Sequence, residues 1–120
     1  MSNTYDITGT KRIKQGSDKN IIVVIKSDGE NPDNLTGYTA RMQIRQSIKS
    51  DTILDELTTE NDRIEITPLE GKLTIKFPNI VTSNYDFTKG VYDLEIVTGT
   101  PEVVSRILQG DVEVDLEVTR

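Results

Sequence analysis

Asp111-Val-Glu-Val-Asp-Leu-Glu-Val118 stands near the end of the chain and alternates strictly between acidic and aliphatic side chains. A period of two residues is typical of a β-strand with one face in a core and the other in water. Four aliphatic side chains should therefore be buried, namely Val112, Val114, Leu116 and Val118. Four carboxylates should line the opposite face at intervals of about 6.6–6.8 Å, namely Asp111, Glu113, Asp115 and Glu117.

Upstream segments show similar alternation, or apolar runs bounded by turn residues. Residues 38–45 alternate, and residues 63–67 and 71–77 form a predicted hairpin around Pro68-Leu-Glu-Gly71. Residues 20–26 contain five consecutive apolar side chains, which predicts a central strand covered on both faces. Further strands are predicted at residues 4–8, 11–14, 52–59, 90–98 and 103–108, with Gly110 separating the last of these from the terminal strand.

The alternation stops between Pro78 and Gly90. We expect one short helical turn near residues 79–85, which crosses from one sheet to the other and is anchored by Ile80, Val81, Tyr85 and Phe87. Seven to nine strands at intervals of roughly 8–12 residues predict an all-β fold, an antiparallel immunoglobulin-like β-sandwich. A barrel is the alternative. Residues 1–120 are expected to form a single domain.

Composition excludes several classes of protein. The net charge of −6 disfavours binding to nucleic-acid phosphates, which needs Lys and Arg. The chain has no Cys and no His, so it lacks thiolate and imidazole ligands and the usual general base. We expect no enzymatic activity, no metal and no cofactor. No apolar stretch approaches the roughly 20 residues of a membrane helix, and the first residues show no signal-peptide pattern, so no membrane partner is expected.

The loop at residues 27–34 contains three oxygen-bearing side chains that could bind Ca²⁺, namely Asp28, Asn31 and Asp33. Their spacing does not match a calcium-binding loop of twelve residues. The favoured interpretation is that these side chains cap the backbone of the turns.

Two carboxylate pairs could provide the acid and base of a glycosidase, Asp55 with Glu56 or Asp93 with Glu95. The sequence has too few aromatic residues to line a sugar cleft, so an enzyme is disfavoured. Asp93 is expected to pair across strands with one of three arginines, Arg41, Arg45 or Arg106.

Tyr92 shares a strand face with Leu94 and Ile96. It should lie in the core, where its hydroxyl would need a backbone or Asx partner.

The four carboxylates at the end of the chain have two interpretations. They are a solvated face, or an edge kept from pairing with other chains. Alternatively, they form a surface for a basic partner, such as the Lys/Arg patch of a neighbouring subunit.

Segments spread over nearly the whole chain match the pattern of a known family. The most specific are Leu35-Thr-Gly-Tyr-Thr-Ala-Arg41 and Tyr92-Asp-Leu-Glu95; the others are Asp6-Ile-Thr8, Asp28-Gly29, residues 64–75 and Glu117-Val-Thr-Arg120. Together they resemble small virion proteins encoded by tailed bacteriophages and prophages and, more distantly, the N-terminal β-sandwich of phage baseplate upper proteins. Residues 31–34 and 79–88 depart from the pattern.

The resemblance implies a structural component of a phage particle, made in the bacterial cytoplasm and assembled into the virion. It would dock onto tail, neck or capsid proteins as an adaptor or accessory subunit, with other virion proteins or further copies of itself as partners. An alternative from the charge is an acidic phage-encoded inhibitor that mimics nucleic acid and occupies a host defence protein. A carbohydrate-binding sandwich would need exposed aromatic side chains, and the four tyrosines are mostly predicted to lie inside.

Overall fold

The computed structural model describes residues 3–99 and 101–118, which fold into two β-sheets. The nine strands in these residues are β1 (Asn3–Thr4), β2 (Ile13–Lys14), β3 (Lys19–Val24), β4 (Thr39–Arg45), β5 (Ile53–Thr58), β6 (Ile64–Thr67), β7 (Lys72–Phe77), β8 (Lys89–Thr98) and β9 (Val103–Asp115). Neither sheet closes into a barrel within the described residues, and the predicted all-β sandwich is confirmed. The immunoglobulin-like arrangement stays a prediction. Thr119 and Arg120, which end one segment of the resemblance, lie outside the described residues.

The large sheet has the strand order β1-β9-β8-β4-β5, and β2 also pairs with β9. Its central pairs are antiparallel, as predicted, and β8 and β9 form a long hairpin. A register shift in this hairpin leaves Ile107 without an opposite residue, because Leu94 faces Leu108 while Glu95 faces Arg106. The alternation predicted for residues 38–45 is confirmed, since Ala40, Met42 and Ile44 are buried.

The N-terminal segment, which comprises residues 3–16, runs parallel to β9 and covers its outer edge. Ile7 faces Val112 and Ile13 faces Val114, and both isoleucines are buried. A short 3₁₀ turn at Gly9–Lys11 separates β1 from β2, in agreement with the gap between the strands predicted at residues 4–8 and 11–14.

Gly110 lies inside β9, opposite Tyr92, so the predicted break between two C-terminal strands is wrong. A Cβ atom at this position would come within 2.3 Å of the Tyr5 carbonyl oxygen. Because Gly110 has no side chain, the backbone of Tyr5 can pass close to β9. Close approach of another backbone is a common reason for glycine within a strand.

The small sheet has the strand order β3-β7-β6, and both pairs are antiparallel. The hairpin of β6 and β7 is confirmed; its turn contains a 3₁₀ segment at Pro68–Glu70 followed by Gly71 with φ of 58°. The prediction of a central strand at residues 20–26 is wrong, because β3 is an edge strand and leaves Ile22 and Val24 exposed. An apolar run shows that both faces could be buried but does not show that a covering layer exists.

The core lies between the inner faces of the two sheets. The helical turn α1 (Asn79–Thr82) follows β7 and crosses to the large sheet, as predicted. Of its predicted anchors, Tyr85 is buried and its ring lies 4.8 Å from that of Phe87. Ile80 is exposed, so its assignment as an anchor is wrong.

The terminal strand is shorter than its alternation predicts. β9 ends at Asp115, and Leu116 and Val118 are exposed. Lys89, the first residue of β8, already lies opposite Glu113, so no strand of the large sheet continues beside residues 116–118 on that side.

No helix in the described part of the chain has the length and apolar character needed to span a membrane.

Candidate interaction surface

The outer face of the large sheet carries a groove of about 760 Å³. Its floor consists of side chains that alternate with the core residues of β4, β8 and β9 and therefore point away from the core. We call it the outer-face groove. Its charged residues are Asp6, Arg41, Arg45, Glu56, Asp93, Glu95, Arg106 and Asp111.

Strand register places these charges side by side. Arg41 of β4 lies opposite Glu95 of β8, and its Nε is 2.8 Å from Glu95 Oε1. Arg106 of β9 places Nη1 3.9 Å from Asp93 Oδ2. The predicted cross-strand pairing of Asp93 is therefore confirmed with Arg106. Acidic and basic groups alternate across the groove.

Gln43 occupies the middle of the groove and links two charges. It donates a hydrogen bond to Glu56 (2.7 Å) and accepts one from Arg45 Nη2 (2.8 Å). Arg45 also donates through Nη1 to the Ser50 carbonyl at 2.7 Å. These bonds hold the Arg45 guanidinium and the Glu56 carboxylate in defined positions.

Asp93 is a partly buried carboxyl group of the outer-face groove. Partial burial raises the pKa of Asp93, and repulsion by Glu95 raises it further. Attraction by Arg106 opposes this rise. Conversely, the hydrogen bond to Glu95 raises the pKa of Arg41.

The four carboxylates predicted as a row do not form one open surface. Asp111 lines the outer-face groove, and Asp115 is exposed at the end of β9. Glu113 Oε1 accepts a hydrogen bond from the Gly9 N–H at 3.0 Å. Glu117 packs its carboxylate over Gly16, where a Cβ would lie 2.2 Å from Oε2.

The N-terminal segment is responsible for this dispersal. β1 and β2 pair with β9, so β9 is not an edge strand here, and the interpretation of the carboxylates as edge protection is wrong. A role for the four carboxylates as a partner surface stays a prediction.

The loop at residues 27–34 uses its polar side chains as caps. Asp28 Oδ1 accepts hydrogen bonds from the N–H groups of Glu30 (2.8 Å) and Asn31 (2.7 Å). The bond from Asn31 contributes most to lowering the pKa of Asp28. Asp33 Oδ1 accepts from the Ser27 N–H at 2.9 Å. These contacts match the capping interpretation.

Asp55 belongs to a half-buried cluster that sequence reasoning missed. Its carboxylate pairs with Arg63 at 2.9 Å and accepts a hydrogen bond from the Tyr85 hydroxyl. Burial, followed by the bond to Asp55, raises the pKa of Tyr85. Glu56 points to the opposite face and bonds Gln43, so Asp55 and Glu56 do not form an acid/base pair. The only sequence signal was that Asp55 shares the inward face of β5 with Leu57.

Tyr92 lies in the core as predicted, and its hydroxyl donates to the Tyr5 carbonyl at 2.5 Å. Burial raises the pKa of Tyr92. The bond ties the N-terminal segment to the middle of the large sheet.

Comparisons with known proteins find structural similarity among solved proteins. A scan against protein-family models finds no match, and a search of curated proteins finds none either. Among solved structures, the chain is similar to the N-terminal domain of phage TP901-1 ORF48, with 11% sequence identity and a TM-score of 0.49. The similarity covers 95% of this chain and 94% of that one.

Proposed function

We propose that the protein is a non-enzymatic structural component of a tailed-phage particle, which docks onto tail, neck or capsid proteins as an adaptor or accessory subunit. One observation carries the proposal. The segments most specific to the virion-protein resemblance, residues 35–41 and 92–95, become neighbours on the large sheet through one residue pair, Arg41 opposite Glu95. The same segments supply Arg41, Asp93 and Glu95 to the outer-face groove.

The groove has properties that suit docking to another protein. Its charges alternate and are held by hydrogen bonds on a regular sheet, so a partner with the complementary pattern meets a surface that needs little reordering. Opposite charges placed in this way improve the choice of partner and the association rate more than the affinity of one contact. On a symmetric particle, many copies would add avidity to a modest individual interface.

The alternative, an inhibitor that mimics nucleic acid, is less well supported by the geometry. Such a mimic needs open carboxylates at regular intervals, whereas Glu113 and Glu117 are engaged by the N-terminal segment. A sugar-binding surface is also poorly supported, because Tyr85 and Tyr92 are buried.

The first test is the composition of purified particles from a phage or prophage that encodes the chain. Mass spectrometry of gradient-purified particles should detect the protein in a constant ratio to the major tail or capsid protein. Its absence from intact particles would refute the proposal.

The second test locates the docking surface. Arg41→Glu with Arg106→Glu reverses two charges in the outer-face groove and should reduce incorporation into particles. The control, Lys72→Glu with Lys76→Glu, reverses two charges on the small sheet that also form ion pairs. If both double variants are folded and are incorporated like the wild type, the groove is not the docking surface.

A further inference from the structure

β3 ends the small sheet, and within the described residues no strand lies beside its outer edge. Two apolar side chains on this edge are open to solvent, Ile22 with 61% of its surface exposed and Val24 with 46%. Natural edge strands are usually protected from pairing by charges, proline or a covering segment. β3 lacks such protection at its centre.

The backbone of β3 also offers unpaired groups at this edge. Directly after β3, Ile25 donates its N–H to the Gly71 carbonyl at 2.8 Å, so the odd-numbered residues face β7. Bonding direction alternates along an antiparallel strand. Three even-numbered residues therefore direct their N–H and C=O groups to the open edge, namely Asn20, Ile22 and Val24.

We infer that this edge is the docking site for β3 of a second copy of the chain, paired antiparallel about a two-fold axis at Ile22. The two small sheets would then form one continuous sheet of six strands. In this register Ile22 lies opposite Ile22 of the second copy, and Asn20 lies opposite its Val24. The inference goes beyond the proposed function and does not depend on it.

Charge selects this register. With the axis at Ile22, Lys26 faces Asp18 of the second copy at both ends of the paired strands, and both residues are exposed. An axis at Val23 would place Asp18 opposite Asp28, which is repulsive. An axis at Ile21 would place Asp18 opposite Val24 and lose the ion pairs. Only the axis at Ile22 combines apolar contact at the centre with opposite charges at the ends.

Two strands of the large sheet, β5 and β9, have edge groups bonded by other parts of the chain. At the free side of β5, Asn61 Oδ1 accepts from the Thr58 N–H at 2.9 Å, and Asn61 Nδ2 donates to the Glu56 carbonyl at 3.0 Å. The N-terminal segment covers β9. β3 therefore differs from these edges, and its complementarity to itself favours a second copy over an unrelated strand.

The test measures self-association of the purified chain by sedimentation over a series of concentrations. The wild type should show a reversible monomer–dimer equilibrium. Ile22→Lys places two like charges on the axis and should weaken the dimer about tenfold or more. The control Leu69→Lys adds the same charge at an exposed apolar residue on the Pro68–Glu70 turn and should leave the dimer unchanged.

Charge variants test the register. Lys26→Asp alone and Asp18→Lys alone each place like charges opposite one another and should weaken self-association. An equimolar mixture of the two variants restores opposite charges at both ends and should recover the dimer. Asp18 also accepts a hydrogen bond from the Asn79 N–H at 2.6 Å, so thermal unfolding must first show that Asp18→Lys is folded.

Amide hydrogen exchange followed by NMR tests the use of this edge without any substitution. The N–H groups of Asn20, Ile22 and Val24 should gain protection as concentration rises, whereas those of Ile21 and Val23 should be protected throughout. A wild type that stays monomeric at every concentration would overturn the inference. A dimer that Ile22→Lys leaves intact, or one in which the three edge amides gain no protection, would overturn it equally.

Discussion

Replacing Gly110 by alanine should detach the N-terminal segment from the large sheet. A Cβ at this position would lie 2.3 Å from the Tyr5 carbonyl oxygen, whereas close carbon–oxygen contacts are normally about 3.3 Å or longer. The Tyr5 backbone must therefore move by about 1 Å. The hydrogen bond from the Tyr5 N–H to Gln109 is 2.9 Å long, and a bond lengthened by that amount no longer holds.

Gly110→Ala should lower the free energy of unfolding through the loss of two hydrogen bonds made by Tyr5. Breaking the bond to Gln109 removes about 1 kcal/mol. The buried Tyr92 hydroxyl also loses the Tyr5 carbonyl as its acceptor, which removes about 2 kcal/mol more. Gly110→Ala should thus lower the free energy of unfolding by about 3 kcal/mol, and more if the buried Ile7 becomes exposed.

Urea denaturation measures this change as a lower midpoint. A suitable control is Gly29→Ala, because Gly29 has φ of 80° and no atom lies within 4 Å of the position that a Cβ would occupy. Its effect should be limited to backbone strain of about 1 kcal/mol. If the free energy of unfolding of Gly110→Ala lies within about 0.5 kcal/mol of the wild-type value, the Tyr5 carbonyl does not lie against Gly110.

Three further predictions concern the ionisable groups. Tyr85→Phe removes the hydrogen bond to Asp55 and should lower the free energy of unfolding by about 1.5 kcal/mol, measured by urea denaturation. Because burial raises the pKa values of Tyr85 and Tyr92 above their ordinary value of 10.0, stability should be complete below about pH 10 and fall as pH rises beyond it, measured by thermal unfolding against pH. Asp93→Asn removes a partly buried charge beside Glu95 and should raise stability at pH 7 by less than about 1 kcal/mol, since the Asp93 side chain is 45% exposed.

Each of these three predictions has a control experiment. Tyr38→Phe, at a half-buried tyrosine, should change stability less than Tyr85→Phe does. Absorbance of phenolate followed through an alkaline titration should show two tyrosines that ionise only as the chain unfolds; ionisation of all four before unfolding would contradict the assigned burial. The gain from Asp93→Asn should vanish at acid pH, where the wild-type carboxyl is protonated, and a gain that persists there would have another cause.

Several elements were predictable because they depend on neighbours in the sequence. The alternation in β4 identifies Ala40, Met42 and Ile44 as core residues, since successive side chains of a strand point to opposite faces. The hairpin of β6 and β7 follows from Pro68 and Gly71, whose backbone preferences suit a turn. The core position of Tyr92 and the need of its hydroxyl for a partner follow in the same way.

The candidate surface was only partly predictable. The sequence indicated that Asp93 would meet an arginine, but the choice of Arg106 depends on the register shift at Ile107. The grouping of Arg41, Gln43 and Glu56 depends on which strands become neighbours. Strand alternation tells which side chains share a face of one strand, and it carries no information on what lies across from them.

The sequence by itself determined the two-sided character of the strands, the turns and the all-β class, because burial alternation and turn preferences act over a few residues. Tertiary structure alone decided that β3 is an edge, that β9 stops at Asp115 and that Gly110 admits the N-terminal segment. These features depend on contacts between residues far apart in the chain. A strand is central, at an edge or ended according to whether another segment supplies hydrogen bonds and an apolar surface beside it, and only the folded chain brings that segment into place.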